Sequence, residues 1–316
     1  MPGVTLLGPQ RRNPNLVESV DRLGIDGRVA AITAGWQERE LEDDELRAHL
    51  RRPVVNLRLH WRSEQAFEAD PDLFKAHRAR QDRLRALQRI YRYRLDFFLE
   101  PARELLRRTG DPTVLDPARD SAIEAIRRLD QEQLEQIREV HREFERRHAP
   151  RQRPSVMQHR MEIADILGGC AAVAIAGGHV AVLINRMRIF GVDELFADLP
   201  IFAWSAGAMA LSERIVLFHD SPPQGAGNPE VLDEGLCRFR GLVPLPHAET
   251  RLRLEDPARV ELFARRFAPA ICVPLHGDAH LDWDGEAWIP GGGARRLTED
   301  GRVVAMKAQR PAPVLV

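Results

Sequence analysis

Short apolar runs alternate with segments of helical periodicity at both ends of this chain, and that alternation constrains the fold more than any other feature. Residues 4–7, 28–33 and 54–60 read as strands, with helical spacing over 15–23 and an acidic-fronted helix over 38–50 between them. The pattern returns with a helix over 157–167, a buried strand over 171–176, the pair Gly177–Gly178, a helix over 180–188, and an apolar strand over 201–204 that runs straight into Ser205. Beyond it come a strand over 215–218, a loop holding Pro222, Pro223, Gly225, Gly227 and Pro229, and an apolar run over 241–246. A helix over 257–267 and short strands near 271–275, 280–283, 287–289 and 303–306 close the chain. Strands apolar on both faces and separated by helices belong to βαβ units, whose sheet is mostly parallel and covered on each side. The expected fold is a three-layer α/β sandwich around a mostly parallel sheet.

From about residue 70 to 153 the period changes. Apolar or aromatic side chains at 84, 87, 91, 95, 98, 102 and 105 step by three or four, as one face of a helix does. Pro101 should kink this helix and Gly110–Asp111–Pro112 should end it. A second helical face follows at Ile123, Ile126, Leu134, Ile137, Val140 and Phe144. Two long helices joined by a turn make an antiparallel hairpin, read here as residues 70–153 inserted into one α/β domain formed by 1–69 and 154–316.

The 316 residues hold 46 basic and 47 acidic side chains, for a net charge of −1, and 44% of them are apolar. That balance belongs to a globular chain and gives no global attraction to nucleic acid or to a membrane surface. Local charge differs. Between His77 and Arg108 ten arginines (78, 80, 83, 85, 89, 92, 94, 103, 107, 108) stand against four acids, with both tyrosines, Tyr91 and Tyr93, among them. Arginine interleaved with aromatics can bind nucleic acid. The reading favoured here pairs these arginines with Glu132, Glu135, Glu139 and Glu143 of the second helix instead. Only Lys75 and Lys307 are lysines, a skew attributed to genome composition. Cys170, Cys237 and Cys272 are odd in number and far apart, as expected of free thiols in a reducing compartment. No charged-then-apolar signal opens the chain, and nowhere do eighteen apolar residues run together, so the expectation is a cytoplasmic protein without a membrane segment.

Chemistry concentrates at Ile201–Phe202–Ala203–Trp204–Ser205–Ala206–Gly207–Ala208. A nucleophile elbow needs a strand, a sharp turn with the serine at its tip, and a helix beginning at once. Small residues two before and two after the serine let the backbone close. Ala203 and Gly207 fill those places, the first being glycine in the usual G-x-S-x-G. Such a turn sets the hydroxyl over a helix N-terminus, with the Ala206 N–H facing a developing oxyanion. A turn whose serine only caps the helix would carry the same string. Upstream, Ala176–Gly177–Gly178–His179 ends a buried strand with two residues free of side chains, leaving amides open to a ligand at the carboxyl edge of a parallel sheet. Gly178 is then a second oxyanion donor; the competing reading is a tight turn required only for packing. A serine hydroxyl also needs a base within reach. Of eleven histidines His247 is the best placed, because it follows the apolar run 241–246 and should lie at a strand's carboxyl end. His179 and His219 compete with it, His276 and His280 occupy a late turn, and His77, His141 and His148 on the hairpin are expected to be solvated.

Gly177–Gly178, then Trp204–Ser205–Ala206–Gly207–Ala208, then His247–Ala248–Glu249–Thr250–Arg251 together resemble the dipeptidase E and cyanophycinase family of serine peptidases. That family has the flavodoxin-like fold of class I glutamine amidotransferases, with serine in place of the cysteine. The match is loose over 4–60 and closer over 171–306. The resemblance implies Ser205 as nucleophile, His247 as base, and the N–H groups of Gly178 and Ala206 as the oxyanion hole. Gly177, His179 and Trp204 would lie beside the substrate, and Arg251 would hold its acidic group, for which a guanidinium fork is suited. Three departures stand against this. His179 replaces the family's Asn, Gln or Asp. The third triad member is expected in the turn 274–279, where His276 holds the place, Asp278 lies two residues on, and Glu249 is a poorer substitute. Asp278 is the first choice if the turn shifts, with His276 or no residue as alternatives. The helical insertion is not part of the family's core.

The implied function is a serine-dependent hydrolase cleaving a peptide or isopeptide-like amide in a small, Asp-containing substrate, with no metal or other cofactor. Two alternatives stay open: a catalytically impaired relative that binds a ligand or partner, and an amide transferase in which an amine replaces water. The hairpin is expected to serve a homodimer or to cover the active site.

Overall fold

The computed structural model describes residues 3–11, 14–219 and 227–310; Pro222, Pro223 and Gly225 of the expected loop lie outside them. The chain begins with β1 (Val4–Leu7), α1 (Leu16–Arg22), β2 (Val29–Ile32), α2 (Asp44–Leu50), β3 (Val54–Asn56) and α3 (Leu59–Ala69). Two helices of 37 residues each follow, α4 (Pro71–Arg107) and α5 (Pro112–His148). Alternation resumes with α6 (Pro154–Gly168), β4 (Ala172–Ile175), α7 (Val180–Phe190), α8 (Val192–Leu195), β5 (Ile201–Trp204) and α9 (Ala206–Leu211). Then come β6 (Arg214–His219), β7 (Gly227–Glu234), β8 (Leu242–Pro246), α10 (Ala248–Arg251), α11 (Pro257–Phe267) and β9 (Ile271–Leu275). The strands β10 (His280–Trp283), β11 (Trp288–Gly291), β12 (Arg295–Leu297) and β13 (Val303–Ala305) follow.

Seven strands form the main sheet in the order β11-β10-β1-β5-β4-β2-β3. The five from β1 to β3 run parallel, and β10 and β11 extend the sheet antiparallel beyond β1. Alternate side chains feed different cores. Leu6, Ile32, Ile175 and Ala203 join Ile163 of α6 and Leu183 and Met187 of α7. Leu7, Ala31, Ala174 and Phe202 join Leu16 and Val20 of α1 and Leu46 and Leu50 of α2. Both faces are thus covered, as strands without a polar side require. Because Leu7 pairs beside Trp204, Ala203 beside Ile175 and Ile175 beside Ile32, the loops after β1, β2, β4 and β5 leave at one edge of the sheet.

α4 and α5 run antiparallel: Arg83 meets Glu143, Arg94 meets Glu132, and Arg119 donates to the carbonyls of Leu105 and Arg108. Their apolar faces share one cluster with β6 to β9 and α11. Within it, buried Arg266 donates to both oxygens of Asp130, to the Tyr91 hydroxyl and to the Pro229 carbonyl. Other arginines of the basic stretch are engaged as well, Arg92 with Glu230, Arg103 with Asn228 and Arg107 with Asp256. Tyr91 is buried; only Tyr93 of the two tyrosines faces outward. Among the described residues no helix is long and apolar enough to cross a membrane.

Several local expectations are corrected. The helix expected over 38–50 is two pieces, a 3-10 turn over Ala34–Arg39 and then α2, with Gln37 at φ 59°, ψ −125° breaking the path. The strand expected over 54–60 stops at Asn56. Its amide donates to Thr33 Oγ1, the Glu40 carbonyl and Asp43 Oδ2, its Oδ1 accepts from the Arg58 N–H, and the chain reverses there into α3. α4 continues through Pro101 to Arg107. His77 and His141 are buried rather than solvated, because α4 and α5 lie against the core along their length. The His77 ring packs on Phe67 and Phe144, and His141 Nε2 lies 2.8 Å from Asp233 Oδ1.

Candidate active site

β5 is wholly buried between β1 and β4, so the chain leaving it can only turn at the sheet edge. Ser205 makes that turn at φ 51°, ψ −122°, a conformation that costs an L-residue roughly 1–3 kcal/mol. Packing imposes it. A Cβ on Gly207 would stand 2.3 Å from the Ile175 carbonyl oxygen, so only glycine lets α9 start this close to β4. Ser205 does not cap α9; its Oγ lies 3.0 Å from His247 Nε2.

His247 follows β8. This strand is not part of the main sheet: it pairs parallel with β9 in a ladder of its own, with Pro246 beside Leu275. The His247 N–H donates to the Leu275 carbonyl, and the residue takes a left-handed conformation (φ 60°, ψ 26°) that starts α10 and aims the ring at Ser205. Burial pushes the imidazole below its ordinary value, and the nearby Arg251 guanidinium lowers it further. Arg251 is itself half-buried, its own value lowered by that burial, and among the described residues its guanidinium has no hydrogen-bond or ion-pair partner. An uncompensated guanidinium at this depth favours a bound anion.

The glycine pair abuts the serine. A Cβ on Gly177 would lie 2.7 Å from Ser205 Cβ, 3.4 Å from its Oγ and 3.5 Å from the Ala206 nitrogen. Gly178 stands at φ 112°, where a Cβ would lie 2.3 Å from the Gly35 carbonyl oxygen; that oxygen accepts from the His179 N–H at 2.7 Å. Gly35 is the residue sequence reasoning passed over. Its signal was a small residue just past a buried strand, on the edge where the other loops meet. Among the described residues the N–H groups of Gly178 and Ala206 have no acceptor.

Other expected residues lie further out. The His179 ring accepts from the Val182 N–H and caps α7, and Trp204 is packed in the core with Leu7 and Phe202. His219 closes β6, its side chain outside the described set. No carboxylate accepts from His247 Nδ1 among the described residues. Asp278 holds its turn through its backbone oxygen, which accepts from Asn15 Nδ2, and its carboxylate makes no bond to His247. His276, next to Leu275, pairs with Glu249 at 3.1 Å, leaving its Nδ1 buried without a partner among the described residues. Among the described residues no cluster of three or more His, Cys, Asp or Glu side chains is placed to hold a metal ion.

No protein-family model matches this sequence, and no curated protein matches it. Among solved structures the chain is similar to a peptidase from an acI-B1 Actinobacterium, at 12% identity over 98% of this chain and 97% of that one, with a TM-score of 0.49. It is also similar to a "Putative Peptidase E Protein" from Listeria monocytogenes EGD-e, at 11% identity over 99% and 100% of the two chains, with a TM-score of 0.42.

Proposed function

We propose that the protein is a serine-dependent hydrolase of a peptide or isopeptide-like amide. One observation carries the reading: a serine held in a strained elbow with its hydroxyl 3.0 Å from a histidine nitrogen. Neutral His247 accepts the Ser205 proton at Nε2 as Oγ attacks the carbonyl carbon. The amides of Gly178 and Ala206 receive the charge that develops on the carbonyl oxygen, His247 returns the proton to the leaving amine, and water then releases the acyl group. The lowered His247 value, set by burial and then by Arg251, favours the unprotonated base. Arg251 would hold a carboxylate of the substrate, which gives the preference for an acidic residue near the scissile bond.

A second reading is a pocket that binds an acidic ligand without turning it over. It draws on the absence, among the described residues, of a carboxylate on His247 Nδ1; loss of the orienting carboxylate in a triad costs about 10⁴ in rate. Mass spectrometry of a dipeptide and isoaspartyl-peptide library incubated with wild type and Ser205→Ala separates the two. Products with wild type alone support hydrolysis; products with both proteins overturn the role of Ser205.

A further inference from the structure

Among the described residues nothing covers an apolar row on the outer face of α4. Ile90, Tyr93 and Phe97 recur at helical spacing and are 62%, 66% and 65% exposed, with the Tyr93 and Phe97 rings in edge contact at 5.1 Å. The opposite face of the helix, with Tyr91, Leu95 and Leu99, is the one turned into the core. A row of large apolar side chains left in water marks an interaction surface.

The charges beside the row identify its occupant. Asp82, Arg89, Glu100 and Arg107 are all exposed and are separated by 7, 11 and 7 residues, close to whole numbers of helical turns, so they share one flank of α4. Arg78 and Asp96, the latter held by Asn228, stand on the same flank; the signs of the other four read minus, plus, minus, plus. These four are therefore symmetric in position and opposite in charge about a point between Arg94 and Leu95. When two such helices lie antiparallel, like flanks face each other. Arg89 then stands opposite Glu100 of a second copy and Asp82 opposite its Arg107, each pair being made twice, as a two-fold interface requires. Arg89 and Glu100 have no ion pair of their own among the described residues. Asp82 has an exposed partner, Arg85, and a surface pair of that kind exchanges at little cost; Arg107 pairs with half-buried Asp256, so the Arg89–Glu100 pairs carry the register. In the same register Ile90 of one copy falls near Phe97 of the other.

We propose that α4 is the dimer interface of this protein, packing antiparallel on α4 of a second copy about a two-fold axis near Arg94. Ile90, Tyr93 and Phe97 form the seam, and the Arg89–Glu100 pairs fix the register. The proposal stands apart from the hydrolase reading.

Sedimentation velocity of the full chain tests it. Wild type is expected at twice the chain mass of 35.8 kDa, and Tyr93→Glu at the mass of one chain with an unchanged circular-dichroism melt. Arg89→Glu, which turns both attractive pairs repulsive, should weaken association about tenfold or more. Arg89→Glu combined with Glu100→Arg should restore it, a rescue that nonspecific apolar association would not show. A wild type that is monomeric at every concentration tested, a dimer indifferent to Tyr93→Glu or to Arg89→Glu, or a double variant as weak as the single one overturns the proposal.

Discussion

Replacing His77 with Phe should flatten the acid side of the stability curve. The His77 ring lies between Phe67, with centroids 4.8 Å apart, and Phe144 at 6.5 Å, and its Nε2 is buried with no partner among the described residues. Burial, helped by the Arg80 and Arg186 guanidinium groups, holds its pKa down at about 3 against an ordinary 6.5. Between those values the unfolded chain binds a proton that the folded chain refuses, so stability falls as pH drops through this window. With those two values the loss is about 2 kcal/mol between pH 7 and pH 5 and about 3 kcal/mol by pH 4. Urea unfolding of wild type and His77→Phe at pH 7 and pH 5 measures it, because other titrating groups cancel in the difference between the two proteins. Phe fills the same aromatic slot and removes a buried polar atom that costs roughly 1–3 kcal/mol, so the variant should be at least as stable as wild type at pH 7. Equal pH 7 to pH 5 losses in both proteins would refute the reasoning.

Three further outcomes are expected. Gly177→Ala places a methyl 2.7 Å from Ser205 Cβ and should lower turnover by about 100-fold or more through misplacement of the nucleophile, with the fold retained by circular dichroism; Gly168→Ala, which meets nothing within 4 Å, is the control. Arg251→Met removes the positive charge that helps lower His247, so the acid limb of Ser205 reactivity should move to higher pH; a limb that does not move contradicts the electrostatic role assigned to Arg251. Asp130→Ala leaves Arg266 buried without its counter-charge and should cost about 3–5 kcal/mol in urea unfolding.

The inner strands of the main sheet were legible because each is a short, largely apolar run, and Ile201–Trp204 and Ile271–Leu275 emerge with the bounds their residues suggest, whereas Gly227 and Pro229, read as loop, lie in the polar strand β7. The serine, the histidine and the glycine pair were legible because a strand end followed by small residues has few uses. Hydrophobic periodicity was a poorer guide on α4. Its buried stripe contains Gln88, which bonds to Glu230 and Gln133, and runs through Leu99 and Leu106, while Phe98 and Leu105 lie off it. Buried polar side chains are invisible to an apolar pattern, which is also why the Arg266–Asp130–Tyr91 cluster and the burial of His77 and His141 were not foreseen. The separate β8–β9 ladder could not be read from two apolar runs, since nothing in a strand's composition names its partner. The surroundings of His247 depend on that pairing and were equally hidden.

The central claim is that His247 makes the Ser205 hydroxyl nucleophilic. Intact-protein mass spectrometry after exposure to a small fluorophosphonate, with the adduct mapped by peptide mass, tests it most directly. The account predicts a single phosphonyl adduct on Ser205, absent in Ser205→Ala and slowed by orders of magnitude in His247→Ala. An unmodified wild type, or an adduct that forms equally fast without His247, would contradict it.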